Sequence, residues 1–324
     1  MNNVLIAGGS GFVGANLVRR FKKLGYKVIV LVSKEVSLWR LSDLLFSVEI
    51  VRVDFSNFKA LREIVEYHRP GIVINTVSQS EFYNEHFSEK IYKVNFEGPA
   101  NLLRACMLVG FDVFITLGSS EEYGLTEGLI SEEALPKPIS DYGVAKNMMT
   151  TFALKYAYSK GLPVYCIRPF SIYGDYSPRE KLISNLFLNA YKNSTVTLKA
   201  PENIRDFLYI DDFVDLIMLV TQKKPKNQYL FNAGTGISFK VRDVIQKIKE
   251  IVNADIRIEW TSLSVKEANP RLRFSDSTLA NKVLSWVPRH SLDQGLQLTN
   301  DWFNRNYSLY ESDECLTELA GSVL

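Results

Sequence analysis

The sequence predicts an α/β protein built on a doubly wound, mainly parallel β-sheet, followed by a smaller C-terminal α/β lobe. Short apolar runs alternate with helical segments at the spacing of strand–helix–strand units. A glycine-rich turn directly follows the first apolar run. After residue 175 the alternation becomes irregular. We therefore predict a first domain at 1–175 and a smaller lobe at 176–306, from which residues 206–235 return to pack with the first domain. A polar tail at 307–324 has the composition of a disordered end.

Composition excludes several classes of protein. Of 324 residues, 46% are hydrophobic and 23% charged, the balance of a globular protein with a large core. The net charge of +2 and the absence of a basic run give no reason to expect nucleic acid or a membrane surface as a partner. Cys106, Cys166 and Cys315 lack the spacing of a disulfide framework or a metal site. No apolar run approaches the ~20 residues of a membrane span, so we expect a cytoplasmic protein.

The first strand–turn–helix unit predicts a dinucleotide site. Residues 4–7 form an apolar run typical of a buried strand, and 15–24 read as a helix. The turn between them places glycines three residues apart, which allows a tight turn and the close approach of a diphosphate to the helix start. We assign cofactor binding to the residues of this turn: Gly8, Ser10, Gly11, Phe12, Val13 and Gly14.

The end of the second strand, residues 26–32, bears on the choice of cofactor. A carboxylate about 20 residues beyond the glycines would bind the ribose 2′-hydroxyl of NAD. This chain instead has Ser33 and Lys34, a hydroxyl and an ammonium that suit the 2′-phosphate of NADP, and Arg40 is placed to assist. NADP(H) is therefore favoured, while Glu35 keeps NAD(H) as the alternative.

Further strands are predicted at 48–53, 72–75 and 112–117. Asp54 and Phe55 follow the first of these and are placed to contact the adenine. The polar loop 76–87, which contains Gln79, is expected to line the cleft. One long helix is predicted from about residue 88 to 109.

The stretch 118–146 carries the candidate chemistry. Tyr142 and Lys146 are four residues apart and share one face of a helix, for which Ser140 or Asp141 is the N-cap. A cation about 4 Å from a phenol in a partly shielded site stabilises the phenolate by about 4 kcal/mol, so we expect a lowered tyrosine pKa. Ser119, at the end of a strand, supplies a hydroxyl to orient a reacting oxygen. The alternative without a catalytic role is an ordinary amphipathic helix with a tyrosine at its edge.

Taken together, the motifs resemble the extended short-chain dehydrogenase/reductases that act on nucleotide sugars, over residues 3 to about 302. Besides the glycines, Ser119, Tyr142 and Lys146, the matching segments are 95–98, 168–170, 205–207, 231–234 and 284–288. The resemblance implies a Rossmann cofactor lobe, a nucleotide-sugar lobe and commonly a homodimer.

The resemblance also implies residue roles. Tyr142 is the acid/base, Lys146 holds the nicotinamide ribose, and Ser119 hydrogen-bonds the sugar. Arg205 contacts the diphosphate, and Arg271 or Arg273 joins it, because the guanidinium fork fits phosphate oxygens. Further substrate contacts are expected from Gln79, Ser120 and Ser171. The family usually has asparagine at the position of Ser171, so we expect a changed contact with the substrate there.

Within that family, the segment 118–124 is most similar to reductases of 4-keto-6-deoxyhexose nucleotides, including GDP-4-keto-6-deoxymannose reductase and the CDP-linked dideoxyhexose synthases. The expected reaction is NADPH-dependent reduction at C4 of a GDP-, CDP- or dTDP-linked sugar. One alternative is a 4,6-dehydratase, for which Glu121 would be the second acid/base. Others are a 4-epimerase with tightly bound NAD(P) and a catalytically idle NADP(H)-binding sensor.

Overall fold

A computed structural model describes residues 3–79, 88–124, 126–198, 201–253, 256–260 and 272–321. The strands are β1 Asn3–Ala7, β2 Lys27–Val32, β3 Glu49–Arg52, β4 Ile72–Asn75, β5 Val113–Leu117, β6 Gly128–Ile130, β7 Val164–Pro169, β8 Ser171–Tyr173, β9 Val196–Leu198, β10 Ile204–Tyr209, β11 Leu230–Ala233, β12 Ser238–Lys240, β13 Ile258–Trp260 and β14 Leu272–Ser275. The helices are α1 Phe12–Lys23, α2 Phe58–His68, α3 Ser88–Tyr92, α4 Gly98–Val109, α5 Asp141–Lys160, α6 Leu182–Lys192, α7 Ile210–Lys223, α8 Val241–Val252, α9 Thr278–Leu284 and α10 Leu292–Gly321.

The predicted parallel, doubly wound sheet is confirmed. Seven strands lie in the order β11-β7-β5-β4-β1-β2-β3, and every neighbouring pair is parallel. Helix α1 packs with α7, while α2, α4 and α5 pack in a row. The strand order reverses between β1 and β4, and ligands of such sheets bind outside the carboxyl ends of the strands at this point.

A second, smaller sheet combines three strands from the C-terminal part of the chain with β6 and β8, which come before residue 175. Its strands lie in the order β12-β10-β14-β6, and β8 also pairs with β10. Strands β10 and β14 are parallel, and their register sets Arg205 beside Arg273. Strand β11, from the same part of the chain, completes the edge of the large sheet instead. The two sheets are therefore linked by several chain crossings.

Two segments differ from the sequence prediction. The single helix expected over 88–109 is divided into α3, a π-helical turn at Lys93–Glu97, and α4. Pro99, which lacks a backbone N–H, lies in the first turn of α4, where it is tolerated. The tail interpreted as polar and disordered lies mostly in α10, in which Tyr310 is buried and packs against Trp39. Aromatic contacts to the first half of the chain therefore order the start of this segment.

Among the described helices, we find none with the length and apolar character needed to cross a bilayer.

Candidate active site

The candidate site lies where β1, β4 and β5 end. Gly8 follows β1, Ser78 lies three residues beyond β4, and Ser119 lies two residues beyond β5. The Thr76 hydroxyl donates to the Ala7 carbonyl at 2.8 Å and ties the first two of these strand ends together. The fold thus brings three loops, distant in sequence, to the switch point of the sheet.

The glycine turn is too tight for side chains at two positions. Gly8 has a φ of +75°, and a Cβ there would lie 2.8 Å from the Val77 nitrogen. A Cβ on Gly14 would lie 2.3 Å from the Gly8 carbonyl oxygen. Gly11 is the N-cap of α1 and gives no side-chain hydrogen bond, so no cap side chain satisfies the first-turn N–H groups. This cradle fits a diphosphate, which is the group that a dinucleotide cofactor presents to a helix start.

The other residues of the turn support this cradle. Ser10 and Phe12 are buried, and Val13 is partly buried and packs against the core. Ser10 lies in the turn as predicted, whereas Phe12 and Val13, which were predicted to precede a helix at 15–24, are the first two residues of α1. Their cofactor role stays a prediction.

Ser33 and Lys34 follow β2 and are exposed. Arg52 fixes this loop, because its Nη1 donates to the carbonyls of Ser33 at 3.2 Å and Lys34 at 2.6 Å. Arg40 was expected to assist at a 2′-phosphate. Its Nε instead donates to the Tyr176 carbonyl at 2.8 Å, and its guanidinium stacks on the Trp39 ring.

Asp54 and Phe55 lie beyond the end of β3. The Asp54 carboxylate accepts hydrogen bonds from the Ser56 N–H and hydroxyl, and these lower the pKa of Asp54. Phe55 packs closely on Gly98, where a Cβ would lie 2.7 Å from the Phe55 Cβ. Both residues occupy the loop predicted to contact the adenine.

Tyr142 lies in the first turn of α5, as predicted. Ser140 is the N-cap, and its hydroxyl accepts a hydrogen bond from the Gly143 N–H at 3.1 Å. The Tyr142 hydroxyl lies 3.4 Å from the Ser78 hydroxyl, and the Ser119 side chain is close enough to lower the pKa of Tyr142. Hydroxyl groups from two loops and from the first turn of α5 therefore lie close together in the cleft.

Lys146 lies on the same helix face as Tyr142, with its Nζ 5.7 Å from the centre of the phenol ring. The ammonium is buried and donates to the carbonyls of Leu117 at 3.1 Å and Val77 at 3.4 Å. Burial lowers the pKa of Lys146 to about 8, and nearby Glu122 opposes that shift.

The expected lowering of the Tyr142 pKa is not found. Burial raises the pKa of Tyr142, since it disfavours the phenolate more than hydrogen bonds from Ser78 and Ser119 stabilise it. The charges of Glu121 and Glu122 raise it further. Sequence spacing identified the nearby cation but not these opposing effects. The Tyr142 phenol therefore keeps its proton near neutral pH and can give it only to a strongly basic oxygen.

The turn that holds Ser119 is fixed by a buried ion pair. Glu122 accepts a hydrogen bond from the Ser119 N–H at 2.9 Å and another from the Thr150 hydroxyl at 3.0 Å. Its other oxygen lies 2.7 Å from the Arg168 guanidinium. Glu122 therefore positions the loop from inside the protein, while its neighbour Glu121 faces the cleft.

Glu121 is held by Arg273. The Arg273 Nη2 donates to the Glu121 carboxylate at 2.7 Å, and its Nη1 lies 3.3 Å from the carbonyl oxygens of Ser120 and Gly124. Arg273 was predicted to contact the substrate diphosphate. Its guanidinium is instead engaged with the 119–124 loop, because β14 pairs with β6, the strand that follows that loop. Arg271, the alternative, lies outside the described residues.

The remaining predicted substrate residues surround this centre. Arg205, on β10, has an exposed side chain, and Ser171 is partly exposed at the start of β8. Gln79 is fixed by Asn95, which donates to the Gln79 carbonyl at 2.8 Å and accepts from its N–H at 3.2 Å. The rest of the predicted cleft loop, 80–87, lies outside the described residues.

Sequence reasoning did not single out three residues of this region. Ser78 lay unremarked within a polar loop, and Asn95 was noticed only as part of a family motif. Lys181, which precedes α6, gave no signal at all, because a lysine before a helix is ordinary. Only the folded chain shows which residues they contact.

Comparison with known proteins gives one matching family and many similar enzymes, among them the following three. The model of the NAD dependent epimerase/dehydratase family matches residues 4–234. UDP-glucuronate 4-epimerase of Thermodesulfobacterium geofontis is 24% identical over 96% of this chain and 99% of its own. GDP-6-deoxy-D-talose 4-dehydrogenase of Aggregatibacter actinomycetemcomitans is 27% identical over 86% of this chain and 90% of its own. The crystal structure of Thermotoga maritima UDP-glucose 4-epimerase with UDP-glucose superposes with a TM-score of 0.86, at 26% identity, covering 94% of this chain and 99% of that one.

Proposed function

The chain belongs to the NAD dependent epimerase/dehydratase family, and from this premise we propose that it is an NADPH-dependent reductase. Its substrate would be a nucleotide-linked 4-keto-6-deoxyhexose, reduced at C4. The observation that carries the proposal is the contrast between Tyr142 and Glu121. Tyr142 keeps a proton where the loops of Ser78 and Ser119 meet the start of α5, whereas Glu121 is bound by Arg273 at 2.7 Å.

Reduction of a ketone needs one hydride and one proton. When bound, the reduced nicotinamide supplies the hydride. The Tyr142 hydroxyl, which is protonated near neutral pH, donates its proton to the developing C4 alkoxide, a stronger base than the phenolate that remains. Ser119 orients the same oxygen by a hydrogen bond. Lys146, fixed by two carbonyls, lies beside the ring and stabilises the phenolate that the transfer leaves behind.

A 4,6-dehydratase needs a second acid/base at C5. Glu121 is the candidate, but its carboxylate is engaged by Arg273 and would have to exchange that partner to take a proton. The relative from Aggregatibacter supports a simpler reaction, since oxidation of a 4-hydroxyl group is the reverse of 4-keto reduction. Ser33 and Lys34, without a carboxylate at the end of β2, favour NADPH as the reductant.

A 4-epimerase with bound NAD is the second candidate. It is favoured by the Thermodesulfobacterium relative and the Thermotoga structure, both named as 4-epimerases of UDP-sugars. An epimerase returns its hydride to the substrate, so its cofactor is not consumed.

We expect a homodimer for either the reductase or the epimerase, which light scattering would test.

The deciding experiment follows the absorbance of reduced nicotinamide. The protein is incubated with NADPH and 4-keto-6-deoxyhexoses linked to GDP, CDP, dTDP or UDP. We expect one NADPH oxidised per sugar reduced. Product formed from UDP-hexoses without net oxidation would overturn the reductase in favour of the epimerase.

A substitution at Glu121 distinguishes the reductase from a 4,6-dehydratase. Glu121→Gln keeps the size of the side chain and a hydrogen bond to Arg273 but cannot carry a proton. We expect it to retain reductase turnover to within about tenfold, because general acid/base catalysis, worth about 10²–10⁴-fold, is not removed. Loss of a 4,6-dehydration activity in Glu121→Gln would contradict the proposal.

A further inference from the structure

Ser78 is the exposed neighbour of the Tyr142 hydroxyl. The two hydroxyl oxygens lie 3.4 Å apart, and either group can be the donor. Lys146 is only 2% exposed and Ser119 only 8%, whereas Ser78 is open to solvent. Of these three polar residues around the phenol, Ser78 is therefore the one that can exchange a proton directly with water.

Reduction of a ketone requires such an exchange. Each turnover consumes one proton from solvent, and Tyr142 gives its own proton to the sugar. The phenolate that remains must be protonated again before the next turnover. Since burial disfavours the phenolate, Tyr142 takes a proton back as soon as a donor reaches it.

Lys146 is held for a different task. Its ammonium donates to the carbonyls of Leu117 at 3.1 Å and Val77 at 3.4 Å. These contacts keep the nitrogen inside the protein as a fixed charge beside the phenol ring. Lys146 therefore stabilises the phenolate but is not itself in contact with solvent.

The backbone around Ser78 is fixed on both sides. On one side, the Val77 carbonyl accepts from Lys146. On the other, the Asn95 side chain accepts from the Gln79 N–H at 3.2 Å and donates to the Gln79 carbonyl at 2.8 Å. Asn95 is itself buried, in the π-helical turn that precedes α4. The Ser78 hydroxyl is therefore held beside the phenol although it faces solvent.

The chemistry of a hydroxyl group suits a relay. It can donate its hydrogen while one of its lone pairs accepts another, so Ser78 can pass a proton on without becoming an alkoxide. At 3.4 Å the contact with Tyr142 is longer than the about 2.7 Å of a typical O–H···O bond. Catalytic hydrogen bonds are often long before the substrate binds and shorten in the complex.

We propose that Ser78 relays a proton from solvent to Tyr142 after each reduction. The assignment rests on the proposed function. The Ser78 O–H proton moves to the phenolate oxygen while the Ser78 oxygen takes a proton from water or a buffer acid, which is left with one proton fewer. This step transfers no electron pair to the substrate, because the hydride has already carried it to the sugar.

Rapid mixing separates the first turnover from later ones. Wild type, Ser78→Ala and Ser78→Thr are loaded with NADPH and mixed with the 4-keto sugar nucleotide, and the absorbance of reduced nicotinamide is followed. In one series the enzyme is in excess, so that each site turns over once, and in the other the sugar and NADPH are in excess. Ser47→Ala is the matched control, since Ser47 is an exposed serine in the turn before β3.

Tyr142 begins a single turnover with its proton, so the single-turnover rate of Ser78→Ala should stay within about twofold of wild type. Its steady-state rate should fall by about tenfold or more, because the phenolate must then wait for another donor. Ser78→Thr keeps the hydroxyl and should recover the rate to within a few-fold. Ser47→Ala should match wild type in both series.

Imidazole gives a readout that a structural role would not move. Its protonated form is a small acid whose pKa is close to that of histidine, about 6.5. Added at constant ionic strength near neutral pH, it should raise the steady-state rate of Ser78→Ala in proportion to its concentration and leave wild type unchanged. The solvent deuterium isotope effect on this rate should be larger in Ser78→Ala than in wild type.

An equal loss in the single-turnover and steady-state rates of Ser78→Ala would show that Ser78 orients the phenol or the sugar, and would overturn the relay. Unchanged rates in both series, or a steady-state loss that imidazole does not relieve, would overturn it while leaving the proposed function intact. If wild type oxidises no NADPH with any 4-keto sugar, the proposed function fails and the relay fails with it, because the tyrosine of an epimerase recovers its proton within each cycle.

Discussion

Arg168 binds the Glu122 carboxylate through a hydrogen bond from Nε, of 2.8 Å, and an ion-pair contact from Nη2, of 2.7 Å, and neither side chain is more than 3% exposed. The same carboxylate also accepts from the Ser119 N–H. A charge pair in the interior thus determines the position of a residue in the cleft.

Replacing Arg168 by Met should leave Glu122 as an unpaired buried charge. We expect a loss of about 3–5 kcal/mol in the free energy of unfolding, measured by urea denaturation. The control is Arg242→Met, which breaks the exposed pair with Glu202 and should cost less than about 1 kcal/mol. Adding Glu122→Gln to Arg168→Met should recover part of the loss. Equal effects of the Arg168 and Arg242 variants would contradict the structural role of the buried pair.

Replacing Tyr142 by Phe should remove the proton donor and leave the cofactor cradle unchanged. Turnover should fall by about 10²–10⁴-fold, while the NADPH dissociation constant, followed by fluorescence, should change by no more than a few-fold. Tyr67→Phe is the control, because the Tyr67 side chain is 82% exposed on α2. A Tyr142→Phe protein with normal turnover would exclude Tyr142 as the acid.

Lys34 is predicted to select NADPH. Replacing it by Ala should raise the KM for NADPH about tenfold, equivalent to about 1.4 kcal/mol, and leave the KM for NADH nearly unchanged. Lys59→Ala, at an exposed lysine of α2, serves as the comparison. A parallel rise in both KM values would show that Lys34 does not read the 2′-phosphate.

Asp175 should make stability depend on pH. Burial, with repulsion from Asp211, raises the pKa of Asp175 from 3.8 to about 7. Between about pH 4 and 7 the unfolded chain has lost this proton and the folded chain keeps it. Stability should therefore fall over that window, by at most about 1.4 kcal/mol per pH unit, and level off above it.

Asp175→Asn should remove this dependence. Its melting temperature should exceed that of wild type at about pH 8 and match it at about pH 4. Asp301→Asn, at an exposed position of α10, should follow the wild-type curve. Identical pH curves for wild type and Asp175→Asn would refute the assignment.

Local signals were sufficient for much of the fold. The glycines around Gly8, the apolar strands and the Ser140 cap each act through nearby backbone, so their effect can be predicted from adjacent residues. The i,i+4 spacing likewise placed Lys146 beside Tyr142 correctly.

Partners distant in sequence could not be predicted in this way. The pKa of Tyr142 depends on burial by several segments of the chain. The contacts of the Arg273 guanidinium depend on the register of β14 beside β6. Glu121 and Glu122 are adjacent in sequence, yet one faces the cleft and the other is fully buried. Only tertiary packing distinguishes them.

The large sheet takes its edge strand, β11, from between β10 and β12, two strands of the small sheet, and α10 returns to pack on Trp39 near the beginning of the chain. No single cut therefore yields a self-contained substrate lobe. New sugar specificities in such an architecture would arise by point substitution and loop exchange rather than by exchange of whole domains. Moving the C-terminal lobe to another protein would remove the edge strand β11 from the large sheet.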